Sequence, residues 1–437
     1  TTITYSDYGF QYSSLEQYFE ETDPDIFVPG SFEPPPTTFY FLNSLSENRD
    51  LGIKLDFDLQ ANEKHSMTFG FGIFGREFIP DLTFFDEGFI TDTTQIDTFS
   101  IDYLTQFVQS SSSTTLEADV YIDDVWQVNP DLRIRGGLRA SAFLNNFQPY
   151  YNLEPRLQVN YRYDNKLRFH ASANRMIQYL HLVSNSAIRL PNDLWIPSSY
   201  RLKPEESWQG EIGARYQLSD KIELSGDVYY KSMDNLYAYP DTFSFLQDLD
   251  RSNPEEYLVR GNGRAFGLEL LLSYEDEDKG VMFSYTLSDT KRQFNGQNLG
   301  LRYAHAYDFR HQLKLFAYKE LAKNFKVSLN FLFFSPNPRL NLLAVPNGEG
   351  LRGLDLNPLG KKNFKRAKPY SRVDVQLSYD IIKKRWKHSF KAGIYNSFNR
   401  NNIAYYRLQF NQNQITEGQP IHSLPLLPSL SYSLKFN

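Results

Sequence analysis

The chain has 437 residues, including 35 Phe, 30 Tyr, 4 Trp and no Cys, with a 41% apolar share and a mean hydropathy of −0.51. No stretch reaches the roughly 18 to 20 consecutive apolar residues of a membrane-crossing helix, and a chain this rich in aromatics is not disordered. Its 46 basic and 52 acidic residues leave a net charge of −6, without the basic footprint of a nucleic-acid binder, and the absence of Cys excludes disulfides, thiolate metal sites and cysteine nucleophiles.

The chain starts at Thr1 with no charged n-region and no apolar h-region, so a processed or truncated chain is expected. From there the dominant signal is alternation of apolar and polar residues with period two, the signature of strands whose two faces meet different surroundings. Predicted strands lie near 1–12, 49–60, 65–77, 112–127, 132–145, 151–163 and 167–178. The eighth and ninth, near 206–218 and 221–236, set Trp208, Ile212, Tyr216, Leu224 and Val228 against Gln209, Glu211, Arg215, Glu223 and Asp227. Further strands are predicted near 261–274, 281–292, 306–320, 325–338, 369–382 and 386–400. Within them Phe309, His311, Leu313 and Leu315 oppose Asp308, Arg310, Gln312 and Lys314. The last, near 426–436, alternates Leu430, Tyr432, Leu434 and Phe436 with Ser429, Ser431, Ser433 and Lys435.

The breaks between strands alternate in length. Short ones at 61–64, 129–131, 164–166, 219–221, 275–280, 322–324 and 383–385 are rich in turn-forming or charged residues. Long ones occupy 13–48, 78–111, 179–205, 237–260, 339–368 and 401–425, with shorter members near 146–150 and 293–305. Strict alternation places every tight turn at one rim of the sheet and every long loop at the other. About sixteen strands, roughly twice the length usual in a soluble sandwich, therefore point to an all-β, transmembrane, antiparallel up-and-down β-barrel in the cell outer membrane. Apolar side chains then face outer-membrane lipid, and polar ones a wet lumen.

Several segments resemble a known family. Tyr121-Ile122-Asp123-Asp124, Gly136-Gly137-Leu138-Arg139 and Glu154-Pro155-Arg156-Leu157 are similar, in order, to the middle of the barrel of TonB-dependent outer-membrane receptors, particularly the Bacteroidetes type. Gln178-Tyr179-Leu180-His181, Leu190 to Pro197, Leu202-Lys203-Pro204-Glu205, Gly263 to Glu269, Tyr285 to Ser288, Tyr307 to His311, Pro369 to Asp374 and Tyr395 to Arg400 continue the resemblance. The family has about 22 strands around a plug, so the resemblance implies that residues 1–437 are the C-terminal portion of such a barrel, with the plug domain outside this chain. It further implies import of a scarce nutrient by energised active transport and no enzymatic chemistry. The implied partners are a plug in the lumen, the TonB-ExbB-ExbD complex acting through the missing N-terminal part, and a surface lipoprotein; no cofactor is implied. Two other readings remain: a complete sixteen-stranded porin for passive diffusion, and an outer-membrane β-barrel enzyme.

Two groups of residues are candidates for function. Arg133, Arg135, Arg139, Arg156, Arg162 and Arg168 project inward from three adjacent predicted strands. They form either a basic wall that grips a plug or guides an anionic solute, or partners for lumen carboxylates such as Glu117, Asp119 and Asp123. The second reading is favoured, because a water-filled wall needs polar side chains whatever passes through. In the outer loops, Tyr179, His181, Trp195, Tyr200, Tyr237 and Tyr239, with Phe243 and Phe245, are candidates for stacking on a substrate, against the plainer role of loop packing. The seven His show no paired ligand spacing, and the acidic run Glu275 to Asp278 lacks EF-hand spacing, so no metal site is expected. Gly-x-Ser-x-Gly and phosphate-cradling loops are missing too.

Overall fold

The computed structural model describes residues 1–19, 37–86, 105–110, 112–145, 148–183, 194–240, 254–339, 345–346, 354–355, 365–411 and 414–436. Among these residues eighteen strands join in one antiparallel sheet; apart from the short Thr105–Ser110 and Tyr303–Ala304, they form a meander of sixteen in which each long strand pairs with the next. These are β1 (Thr2–Phe19), β2 (Thr37–Gln60), β3 (His65–Asp86), β4 (Ser113–Asn129), β5 (Leu132–Asn145), β6 (Gln148–Arg162), β7 (Leu167–Gln178) and β8 (Glu205–Ser219). There follow β9 (Ile222–Ala238), β10 (Val259–Glu275), β11 (Lys279–Phe294), β12 (His311–Ala322), β13 (Phe325–Phe334), β14 (Tyr370–Lys383), β15 (Trp386–Tyr395) and β16 (Leu427–Phe436). Every predicted strand has its counterpart.

Burial runs opposite to that of a soluble sheet. Along β4, Leu116, Val120 and Ile122 are 43%, 57% and 46% exposed, whereas the alternating Glu117, Asp119 and Asp123 are 8%, 7% and 3% exposed. On β8 and β9 the exposed face carries Trp208, Ile212, Tyr216, Leu224, Val228 and Tyr230. Only a lipid-facing exterior makes such a face favourable, because in water that apolar surface would drive aggregation.

Three of the short turns share one device. Asn62 Oδ1 accepts from the backbone N–H of Lys64 and His65 at 2.8 and 3.0 Å, Asn129 Oδ1 from Asp131 and Leu132 at 2.9 Å each, and Asp164 Oδ1 from Lys166 and Leu167 at 2.7 Å each. A side-chain oxygen at the start of the turn thus holds the donors that the sheet leaves over. Two residues earlier, Gln60, Gln127 and Gln217 donate through Nε2 to the carbonyls of Asn62, Asn129 and Ser219 at 2.6, 2.7 and 2.7 Å. At the turn between β12 and β13, Asn324 has φ 64°, a conformation that Asn tolerates better than bulkier residues.

Strand ends differ from the expectation at the long-loop rim. β1 and β2 pair from Thr2 with Lys54 as far as Phe19 with Thr37, and β3 continues to Asp86, well into the predicted loops 13–48 and 78–111. Beyond the membrane both faces meet water, so the apolar period fades while backbone pairing continues through Thr37-Thr38-Phe39-Tyr40, residues with high strand propensity. Two-stranded hairpins also stand in predicted loops, Leu180–Val183 with Leu194–Pro197 and Ile403–Asn411 with Gln414–His422. Conversely, β12 starts at His311 rather than near 306, because Asp308 N–H bonds back to His305 O at 2.9 Å and the chain turns there. β15 ends at Tyr395, where Asn396 and Asn399 take φ 51° and 47°.

Candidate functional site

The buried face of β4, β5 and β6 carries an ionic network. Arg139 on β5 donates to Asp119 at 3.3 Å, to Glu117 at 2.9 Å and to Glu154 on β6 at 2.9 Å. Arg76 on β3 holds Glu117 from the other side. Arg156 grips Asp123, its Nε at 2.6 Å, and Arg135 stands 3.7 Å from the same carboxylate. The arrangement needs a gap: Gly137 lies between Asp123 and Arg156 in the register, and a Cβ there would collide with both side chains. Three of the six candidate arginines are therefore matched to the carboxylates named for them from sequence.

The remaining three sit elsewhere. Arg162 closes the short-turn rim, donating to Asp131 at 2.9 Å and to the Pro130 carbonyl at 3.0 Å. Arg168 lies in register between Arg162 and Arg215, and Arg133 lies between Gln127 and Asn160. This leaves a basic row on three neighbouring strands near that rim, relieved where Arg215 faces Glu223 at 3.5 Å.

Above the network the wall passes into the loop after β7. Tyr179 stacks on Phe143 with ring centres 4.6 Å apart, and its hydroxyl meets Ser141 Oγ at 2.7 Å and accepts from Asn152 at 3.0 Å. Ser141 in turn lies 3.1 Å from Glu154, which connects this aromatic pair to the ionic network. His181, 1% exposed, contacts Glu205 at 3.2 Å and Ser198 Oγ at 3.1 Å and meets the Tyr237 ring edge-on at 5.0 Å. Tyr239 packs with Val183, Ile196 and Leu202, and burial pushes its phenol up to about 12. Trp195 takes its place in the small hairpin opposite Leu182.

The loop is fastened onto the barrel. Asn145 donates to Ser198 O at 2.8 Å, Tyr150 to Ser199 O at 2.5 Å and Asn235 to Pro204 O at 2.8 Å, while the Lys203 N–H donates to Tyr237 Oη at 2.9 Å. Of the six aromatic candidates, Tyr179, His181 and Tyr239 are buried in this packing and Tyr237 joins it; Tyr200 is 66% exposed. Arg201 donates to the Tyr200 hydroxyl at 2.5 Å and lies over its ring at 5.1 Å, which stiffens an exposed aromatic at the loop surface. Phe243 and Phe245 fall outside the described residues.

Sequence reasoning missed other polar anchors. Arg175 makes a two-point pair with Glu206 at 2.8 and 2.9 Å. Asp308, fully buried, accepts from the Thr290 N–H at 3.1 Å and from Arg366 at 2.8 Å. Residue spacing carries no sign of these pairs, since the partners meet only through the register of separate strands or across a long loop. The same holds for His170, Glu211 and Asp227, one residue on each of β7, β8 and β9, the donor-type group the structure assembles among the described residues.

A family model described as "TonB dependent receptor-like, beta-barrel" matches residues 1–397. The fold is similar to that of the ferripyoverdine receptor of the outer membrane of Pseudomonas aeruginosa bound to ferripyoverdine, with TM-score 0.59 and 16% identity over 99% of this chain and 53% of that one. It is also similar to the ferric yersiniabactin uptake receptor FyuA from Yersinia pestis, with TM-score 0.60 and 13% identity over 92% of this chain and 57% of that one. The copper transporter OprC gives TM-score 0.57 and 13% identity over 97% of this chain and 61% of that one. The chain thus spans little more than half the length of these solved structures, and at such identity the likeness is one of fold. No curated protein sequence matches.

Proposed function

The chain belongs to the TonB dependent receptor-like β-barrel family, and we propose that it forms the wall and outer loops of an outer-membrane receptor that imports a scarce nutrient by energised active transport. The observation that carries this reading is the inverted wall, with Leu116, Val120 and Ile122 facing out and Glu117, Asp119, Asp123 and Arg139 locked together inside. A family of transport receptors also argues against an enzyme. The three neighbours described above are named for a ferric siderophore or copper, which favours a metal complex as cargo.

Residues 1–437 supply the C-terminal part of the barrel. Among the described residues β1 pairs only with β2 and β16 only with β15, and two open edges are untenable in lipid, which supports further strands completing the sheet. A plug in the lumen, drawn by the TonB-ExbB-ExbD complex, gates passage, and Arg133 and Arg168, on the inner wall near the short-turn rim, are offered for contact with it. Tyr200 and Arg201 offer the outer loop's contact to cargo. The ordered motifs from Tyr121 to Arg400 support the Bacteroidetes type, and with it a partner lipoprotein at the cell surface.

The test is uptake in a deletion strain complemented with the intact gene, measured for ferric siderophores, copper, oligosaccharides and peptides with and without a functional TonB. Uptake of one class that collapses without TonB is expected. A steady open conductance of the purified intact protein in planar bilayers, with uptake indifferent to TonB, would replace this reading with a porin.

A further inference from the structure

On the inner face of β7, β8 and β9, His170, Glu211 and Asp227 bring three ligand-type atoms within 4.8 Å of one another. His170 Nε2 is 2.6 Å from Asp227 Oδ1 and 3.6 Å from Glu211 Oε1. A residue without a side chain makes this possible. Gly213 of β8 is in register with His170 on one side and Asp227 on the other, and a Cβ at that point would collide with both the carboxylate and the imidazole.

Two further observations point to a cation in that space. Asp227 Oδ1 is buried without a hydrogen-bond partner, although the imidazole is beside it, so the two atoms converge without the donor–acceptor alignment a hydrogen bond needs. Apart from the His170 imidazole, no cationic side chain among the described residues pairs with Glu211 or Asp227, whereas Glu117, Asp119, Asp123, Glu154 and Glu206 each hold an arginine. Glu269 on β10 lies opposite Asp227 in the register and adds a further carboxylate to the tract.

We propose that His170, Glu211 and Asp227 bind one divalent transition-metal ion of the zinc type on the inner wall. One imidazole nitrogen and two carboxylate oxygens on a half-exposed surface are a donor set for such an ion, with room left for water as a fourth ligand. Metal–ligand bonds of about 2.0 to 2.2 Å set donor atoms roughly 3 to 3.5 Å apart. The His170 to Glu211 separation is close to that range, and a small rotation of the Asp227 carboxylate opens the shorter one. Once bound, the ion ties three adjacent strands together and neutralises the unmatched carboxylates. The site rests on side-chain geometry and is independent of which solute the receptor imports.

The experiment titrates Zn²⁺ into the intact, chelator-stripped protein in detergent by calorimetry, and collects anomalous scattering from Zn²⁺-soaked crystals of the wild type. One bound ion per chain is expected, with affinity weakened at least about tenfold in His170→Asn and in Asp227→Asn, each variant first checked for the heat-modifiable migration of a folded barrel. Absence of binding, or affinity unchanged in both variants, overturns the proposal. Should the variants not fold, the wild-type anomalous map decides: a peak at bonding distance from His170 Nε2 supports the site, and a map without one there refutes it.

Discussion

Arg139 Nη1 on β5 donates to Glu154 Oε1 on β6 at 2.9 Å, and the same guanidinium also holds Glu117 and Asp119 of β4. One cation thus serves three carboxylates from two flanking strands, two of them with side chains only 10% exposed and the third 6%. Arg139→Met removes the charge and leaves the acids facing one another. The expected cost is about 3 kcal/mol, the lower end for breaking a buried pair. It is read as a lower temperature for conversion of the folded to the unfolded band on a heat-modifiability gel, and an unchanged temperature would show that the network contributes nothing.

The inverted wall gives a paired test on one strand. Ile212 stands mid-strand on β8, 69% exposed on the apolar face, and Gln209 faces the interior. Ile212→Arg is expected to destabilise the protein by about 2 to 4 kcal/mol in a bilayer, whereas Gln209→Arg costs little. Equal effects in urea titrations from lipid vesicles would contradict the assignment of faces.

Asn145 anchors the loop after β7 through its bond to the buried Ser198 carbonyl. Asn145→Ala leaves that carbonyl unsatisfied, a loss of about 1 to 3 kcal/mol concentrated in the loop. Faster tryptic cleavage after Arg201, with the barrel otherwise intact, is the expected result; the Lys203–Pro204 bond resists trypsin in either case.

Tyr239 supplies a pH dependence. Burial raises its phenol to about 12, so the folded state favours the neutral form more than the unfolded state does. That contribution is complete below the ordinary tyrosine value near 10 and is lost as pH rises from there through about 12. The difference in phenolate absorbance between wild type and Tyr239→Phe should therefore titrate near 12; a midpoint near 10 would show that the phenol is not buried.

Much of this protein was legible in its sequence. A period of two is a local property, so Trp208, Ile212 and Tyr216 against Gln209, Glu211 and Arg215 declare a strand and its two faces without reference to any neighbour. Turn chemistry is equally local, since Asn62, Asn129 and Asp164 bond donors two and three residues on. The membership of the inner wall followed from the same parity.

What the tertiary structure decided is which inner-wall groups meet. Pairing between strands slides in steps that no single strand records, so the sequence placed six arginines on one face but could not say that Arg139 would serve three acids while Arg162 closed a turn. Tyr179 and His181 look like exposed loop aromatics in the sequence, and only the fold of the loop back onto β5 and β6 buries them. The group at His170, Glu211 and Asp227 depends on one register: a shift of β8 relative to its neighbours would move Gly213 out of line and close the space between them.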